Sequence, residues 1–334
     1  MSEAKELYVA VDVDVQETTV MVVNAFGQLM ANFTGQSESF KQDRGIKTAV
    51  DYTKKILADH SIDLTDVKGI GISAPTLLIS GNNSQAILLP FLFRAVFEKE
   101  FPGLLVRAAD DVTLSALGEH HHTYKDKPRS LFFVNWGNGI GGGMMVHGRV
   151  WPGTHGIAGN FGHIAIRGAG AKCWCGNTDC INTFAAGELL PHHYFTFLDK
   201  QKPKDYQSPF AGKSQKDVTV KMLAEAAAHG DVLAQKVFDI GAMAIAKGLV
   251  SVINIMDPEV IVIGGRVVNI LGDAVKKIEE LTKKELMYPQ CKQTPIVESK
   301  FANASTYGAF QLIYANVKAA QGKKTGKALK AIKK

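Results

Sequence analysis

The chain has 334 residues, 46% of them hydrophobic and 21% charged, with 32 glycines. That balance excludes an intrinsically disordered chain and suits two α/β domains with separate cores. The formal net charge of +6 belongs to one end: seven lysines and no acid lie between Val317 and Lys334, and the rest carries 31 basic against 32 acidic residues. We read residues 318–334 as a solvated lysine-rich tail, with contact to nucleic acid or an anionic surface as the alternative. No apolar stretch approaches the ~20 residues of a membrane helix, and no apolar signal segment opens the chain. A reducing, cytoplasmic compartment without membrane association is therefore expected.

Residues 7–11 and 19–23 are β-branched strands joined by the polar turn at 12–18. A helix is expected over 46–58, then a buried strand over 69–73 that stops at Pro75. The strand 104–108 delivers Asp110 and Asp111, and a helix over 113–122 follows. The second half repeats this logic. Strand 131–134 leads into a glycine-rich turn, 144–146 returns as a hairpin strand, and helices are expected over 218–228, 232–256 and 273–285. An apolar strand over 260–263 ends in Gly264-Gly265, and a last helix spans 304–317. Strands alternating with helices mean an α/β fold around a central sheet, in two lobes.

The densest chemistry lies between Gly137 and Asn182. Five glycines in seven residues, among them Gly137, Gly139 and Gly141 around Asn138, give a backbone bare enough to bring N–H groups to a phosphate. His163, Cys173, Cys175 and Cys180 then offer one imidazole and three thiolates within eighteen positions, a set suited to a closed tetrahedral Zn²⁺ site. A disulfide loop is the alternative, disfavoured in a reducing compartment.

In this order the motifs resemble the ROK family of repressors, open reading frames and sugar kinases. Its signature is a glycine-rich phosphate turn, then G-x-x-G-x-A-G-E-x-G-H, then C-x-C-G-x-x-G-C-x-E. Here these are residues 137–143, 153–163 and 173–182, each without a gap. The resemblance implies the actin-like ATPase fold of two ribonuclease-H-like domains around an interdomain cleft. The N-terminal lobe would be 1–118 with the returning helix 304–317, and the C-terminal lobe 119–303. It also implies a homodimer, Mg-ATP and a sugar as the small-molecule partner; with the lysine tail read as a solvated end, a nucleic-acid partner is not expected. Asp111 would be the base that takes the sugar hydroxyl's proton, although an aspartate there also suits a helix N-cap. Asp110, Asn160, His163 and Asn182 would contact the sugar, with His163 also binding a structural zinc. Asp12, Gly137, Asn138, Gly139, Gly141, Gly264 and Gly265 would hold the nucleotide.

Several positions depart from the family pattern. The first phosphate loop, D-x-G-G-T-K in the family, reads Asp12-Val13-Asp14-Val15-Gln16-Glu17. Asp14 sets a negative charge where phosphate would lie, and two like charges at about 4 Å repel by roughly 4 kcal/mol at an effective dielectric of about 20. Asn160 and Asn182 stand where the family has glutamate, Asp110 replaces asparagine, and Thr76 and Asp179 replace glycines. Two functions follow. One is an ATP-dependent kinase of a sugar or sugar derivative, with Asp111 as base. The other is a non-catalytic sugar sensor or regulator of the repressor branch, without a helix-turn-helix.

Overall fold

The computed structural model describes residues 6–38, 44–75, 78–80, 86–166, 170–301 and 303–322, with backbone alone for 78–80 and 86–88. Thr76 and the lysines from 323 onward lie outside the described residues. The chain divides into two compact units. The first comprises Met1–Arg129, Gly143–Gly156 and Asn303–Lys334, the second Ser130–Gly142 and Ile157–Ala302.

The first unit opens with β1 (Leu7–Val13), β2 (Glu17–Asn24), β3 (Leu29–Gln36), α1 (Arg44–Asp59) and β4 (Val67–Ala74). The short pair β5 (Leu78–Ser80) and β6 (Ala86–Leu88), α2 (Leu89–Glu100), β7 (Leu105–Asp110) and α3 (Asp111–His122) follow. Its sheet runs β3-β2-β1-β4-β7, antiparallel through the first three strands and parallel from β1 to β7. Alternation assigns the faces. Val9, Val11 and Val13 join Val20, Val22, Ile46, Val50, Phe93 and Phe97 in one core. Tyr8 turns to the opposite face, where its ring meets Phe310 and Tyr314 edge-on at 5.9 and 5.3 Å. Gly71 permits that contact, because a Cβ there would stand 2.0 Å from the carbonyl oxygen of Ala309.

The second unit begins with β8 (Ser130–Trp136) and the first residues of β9 (Ile140–Val146). The chain passes back to the first unit within β9, and β10 (Arg149–Val150) pairs antiparallel with its far end. The second unit then adds α4 (Ile181–Ala185), α5 (Leu190–Gln201), α6 (Val220–Ala228), α7 (Val232–Met256), β11 (Val260–Gly264), α8 (Arg266–Ile270), α9 (Ala274–Glu285) and β12 (Ile296–Glu298). Strands β8, β11 and β12 are parallel neighbours, with Val134 beside Ile263 and Asn135 beside Gly264. The last helix, α10 (Ala304–Ala320), belongs to the first unit.

Three expectations change. The first unit runs to Arg129, past the boundary expected at 118, because α3 continues to His122 and packs closely on α10; a Cβ on Gly308 would stand 1.9 Å from the carbonyl oxygen of Leu114. Lys318 is no tail residue. It lies in α10, 3% exposed, with Nζ 2.7 Å from Glu6 Oε2. Finally, α7 is long and apolar enough by length and composition to cross a membrane, contrary to the expectation of no such stretch. Leu233, Val237, Ile245, Leu249 and Ile253 on this helix are buried, as in a core helix.

Candidate functional site

In the first unit the parallel strands place their carboxylates by register. Asp12 of β1 lies beside Ser73 of β4, and Ala74 beside Asp110 of β7, so these residues share the carboxyl ends of adjacent strands. Ligands of open α/β sheets bind at such ends. Asp110 caps α3, its Oδ1 accepting from the Thr113 N–H at 2.9 Å. The capping role that the sequence allowed for Asp111 therefore falls to its neighbour, and Asp111 opens the helix with its carboxyl uncommitted to the cap. Burial, and then the charges of Asp110, Asp12 and Asp14, push the Asp111 carboxyl up to about 8.

Burial also raises Asp12, with Asp14 adding to the rise; the hydroxyls of Ser73, Ser305 and Thr306 oppose it. Ser305 Oγ donates to Asp12 Oδ2 at 2.7 Å. Ser73 Oγ and Thr306 Oγ1 face the same carboxylate but are buried without a well-formed hydrogen bond. The sequence reading missed all three hydroxyls. Ser305 and Thr306 open the last helix, and nothing local ties them to a strand that begins the chain.

The turn after β1 is closed on itself. The Asp14 N–H donates to the Glu17 carbonyl at 2.9 Å, and the Val15 N–H donates to Asp14 Oδ1. Two of the amides a phosphate would need already have partners.

In the second unit the ligand atoms of His163, Cys173, Cys175 and Cys180 lie within 4.8 Å of one another. Cys173 Sγ is 3.7 Å from His163 Nδ1, and Cys175 Sγ is 3.7 Å from Cys180 Sγ. Thiolates bound to one tetrahedral zinc stand ~3.8 Å apart, whereas a disulfide needs ~2 Å. The donor set fits a zinc ion, and all four chain cysteines are free. Burial pushes the Cys180 thiol up to about 12 and lowers His163, while the Asn177 backbone N–H lowers Cys175 first. A bound cation would reverse the cost at Cys180 by taking up its thiolate. Asp179, which replaces the family glycine, adopts a left-handed φ of 56°. Its carboxylate accepts from the N–H groups of Gly170 and Ala171 at 3.1 and 2.8 Å, local bonds that help an aspartate hold that conformation.

The glycine turn sits nearby in this unit. Asn182 Oδ1 accepts from the Ile140 N–H at 2.7 Å, so this buried amide props the turn. The Gly137 N–H is taken by the Gly139 carbonyl, and the carbonyls of Gly137 and Asn138 accept from Gly187 and Glu188. Gly141 lies in β9, and Gly142 bonds to the Gly159 carbonyl at 2.8 Å. Gly264 ends β11 beside Asn135 of β8 and Gly265 follows it; a Cβ on Gly265 (φ 106°) would stand 2.3 Å from Asn135 Oδ1. The two glycine motifs thus share the carboxyl ends of the neighbouring strands β8 and β11. Asn160 is exposed, its amide donating to the Ile157 carbonyl at 2.6 Å.

Each unit's sheet opens on a strand–turn–strand element and presents its motifs at the carboxyl ends of parallel strands, the organisation of the actin-like ATPase fold. A Cys₃His element within such a fold narrows the class further. The chain belongs to the ROK family, whose model matches residues 8–316. It is 29% identical over 203 residues to the N-acetylglucosamine repressor of Escherichia coli O6:H1, covering 61% of this chain and 48% of the repressor. The chain thus spans about half the length of that repressor. It is also 29% identical over 283 residues to the glucokinase of Halalkalibacterium halodurans, covering 81% of this chain and 83% of that enzyme. A ROK family glucokinase from Streptomyces griseus, solved in complex with glucose and AMPPNP, shares the fold with a TM-score of 0.73 at 22% identity, over 92% of this chain and 98% of that one.

Proposed function

We propose that this protein binds a small-molecule sugar and responds to it without transferring phosphate, as a regulator-type ROK member. The turn after β1 carries this reading. Its first two amides are bonded within the turn, Asp14 adds charge, and Asp12 is engaged by Ser305. These residues do not fit the phosphates of Mg-ATP. Asp111 supports the same reading, since a carboxyl pushed up to about 8 holds its proton at neutral pH and serves as a hydrogen-bond donor to a sugar hydroxyl. Asn160, His163, Asp110 and Asn182 are the further sugar contacts proposed, with His163, Cys173, Cys175 and Cys180 holding one structural zinc. Four protein ligands leave such an ion no open position for chemistry. A cytoplasmic homodimer completes the reading.

The second reading is a sugar kinase. It is favoured by Asp111 itself, which is released from capping and lies beside other carboxylates whose charge a cation would relieve. The glycine turn of the second unit would then take phosphate. Incubating the protein with a sugar panel and Mg-ATP, while following ADP release and thermal shift, decides between them. Stabilisation by a sugar without ADP release supports the regulator, and sugar-dependent ADP release selects the kinase.

A further inference from the structure

We propose that the turn joining α3 to β8 is a proton-operated latch in which His120 and His121 clamp Asp126. His120 is 1% exposed. Its Nε2 lies 2.7 Å from the Pro128 carbonyl and its Nδ1 lies 3.1 Å from Asp126 Oδ1. A carbonyl oxygen only accepts, so Nε2 carries a proton. An unprotonated Nδ1 would then set its lone pair against a carboxylate oxygen. The arrangement is attractive only when Nδ1 is protonated too, with the ring an imidazolium. His121 Nδ1 holds the other side of the same carboxylate, 3.1 Å from Oδ2 and 3.2 Å from Oδ1.

The clamped segment is strained. Lys125 and Asp126 are consecutive left-handed residues, with φ of 53° and 60°, and neither is a glycine. Such conformations persist where surrounding contacts enforce them. Here those contacts are the Lys127 N–H, which donates to the Tyr124 carbonyl at 3.1 Å and closes the turn around both residues, the Asp126 N–H, which donates to the His120 carbonyl at 3.0 Å, and the two histidines. Other titratable groups also face the latch. From α3 come Glu119, bonded to Thr123, and His122, whose ring packs on Tyr307 of α10 at 4.3 Å. Lys125 acts electrostatically on His122, and Glu119 on Tyr124. From the β9–β10 turn, His147 Nδ1 accepts from Arg129 at 3.0 Å. Loss of the second proton from His120 as pH rises turns one attraction into a repulsion and frees residues 123–128. The released segment ends α3, the helix whose first residue is Asp111, so the latch links proton activity to the helix bearing the candidate site.

Hydrogen exchange of the full chain tests this. Exchange at 120–129 is followed from about pH 6 to about pH 8.5 and corrected for intrinsic rates with an unstructured reference peptide. Opening coupled to one proton changes up to about tenfold per pH unit, so protection in the wild type should fall as pH rises, by up to that factor per unit. In Asp126→Asn the side-chain amide can donate to a neutral Nδ1, and protection should stay flat. A wild-type profile without pH dependence, or the same fall in Asp126→Asn, overturns the latch. Nitrogen NMR of the His120 ring should show both nitrogens protonated below the transition; a neutral ring there also overturns it.

Discussion

Ser305 Oγ donates to Asp12 Oδ2 at 2.7 Å across 293 positions of sequence, joining the start of the last helix to the end of the first strand. The bond commits the one aspartate that remains of the family's first phosphate loop. Thr306 and Ser73 face the same group, so the first unit surrounds Asp12 with its own hydroxyls.

Replacing the first loop's side chains tests whether that closure excludes nucleotide. Asp14, Val15 and Gln16 changed together to Gly, Gly and Thr should tighten Mg-ATP binding by at least ~100-fold, since the change removes a repulsion of several kcal/mol and reopens the backbone. Isothermal titration of both proteins measures it. Equal affinities would show that the loop is not what limits the nucleotide.

Asp111→Asn should stabilise the fold, and increasingly so at higher pH. The folded carboxyl titrates near 8 and an unfolded one near 4, so the native state holds a proton that the unfolded chain releases. The stability associated with that proton is complete below about pH 4 and is lost as pH rises through about 8. Urea unfolding of both proteins at about pH 5 and pH 8 should show the larger gain at pH 8.

Metal analysis should find one zinc per chain, bound at His163, Cys173, Cys175 and Cys180. Chelation and Cys175→Ser should each lower thermal stability, because ligand binding at a structural site contributes to folding free energy. Well under one equivalent of metal, with melting unchanged by chelator, would remove zinc from the description.

The lysines near the C-terminus should behave as two populations. Deleting residues 323–334 should leave folding and sugar binding intact. Lys318→Ala should instead cost about 1–3 kcal/mol by removing a charged hydrogen bond to the half-buried Glu6, as read by chemical denaturation. Loss of a salt-sensitive nucleic-acid interaction on truncation would give the tail a function instead.

Light scattering at micromolar concentration should report a dimer. The family resemblance motivates this expectation, and two-fold dimers are the commonest assembly. A monomer mass would exclude it.

Local patterns sufficed for the strands at 7–11, 69–73 and 260–263 and for the whole of α7, since apolar runs and periodicity are properties of neighbouring residues. The Cys₃His set was equally legible, because all four donors fall within eighteen positions and their geometry follows from one short loop. Tertiary structure decided the rest. Whether Asp110 or Asp111 caps α3 depended on where β7 ends, which its pairing with β4 fixes. The partnership of Lys318 with Glu6, and of Asp12 with Ser305, required the last helix to cross the first strand. Such contacts arise when the sheet and α10 bury their apolar faces against each other, and sequence spacing alone contains no record of which polar groups that burial brings together.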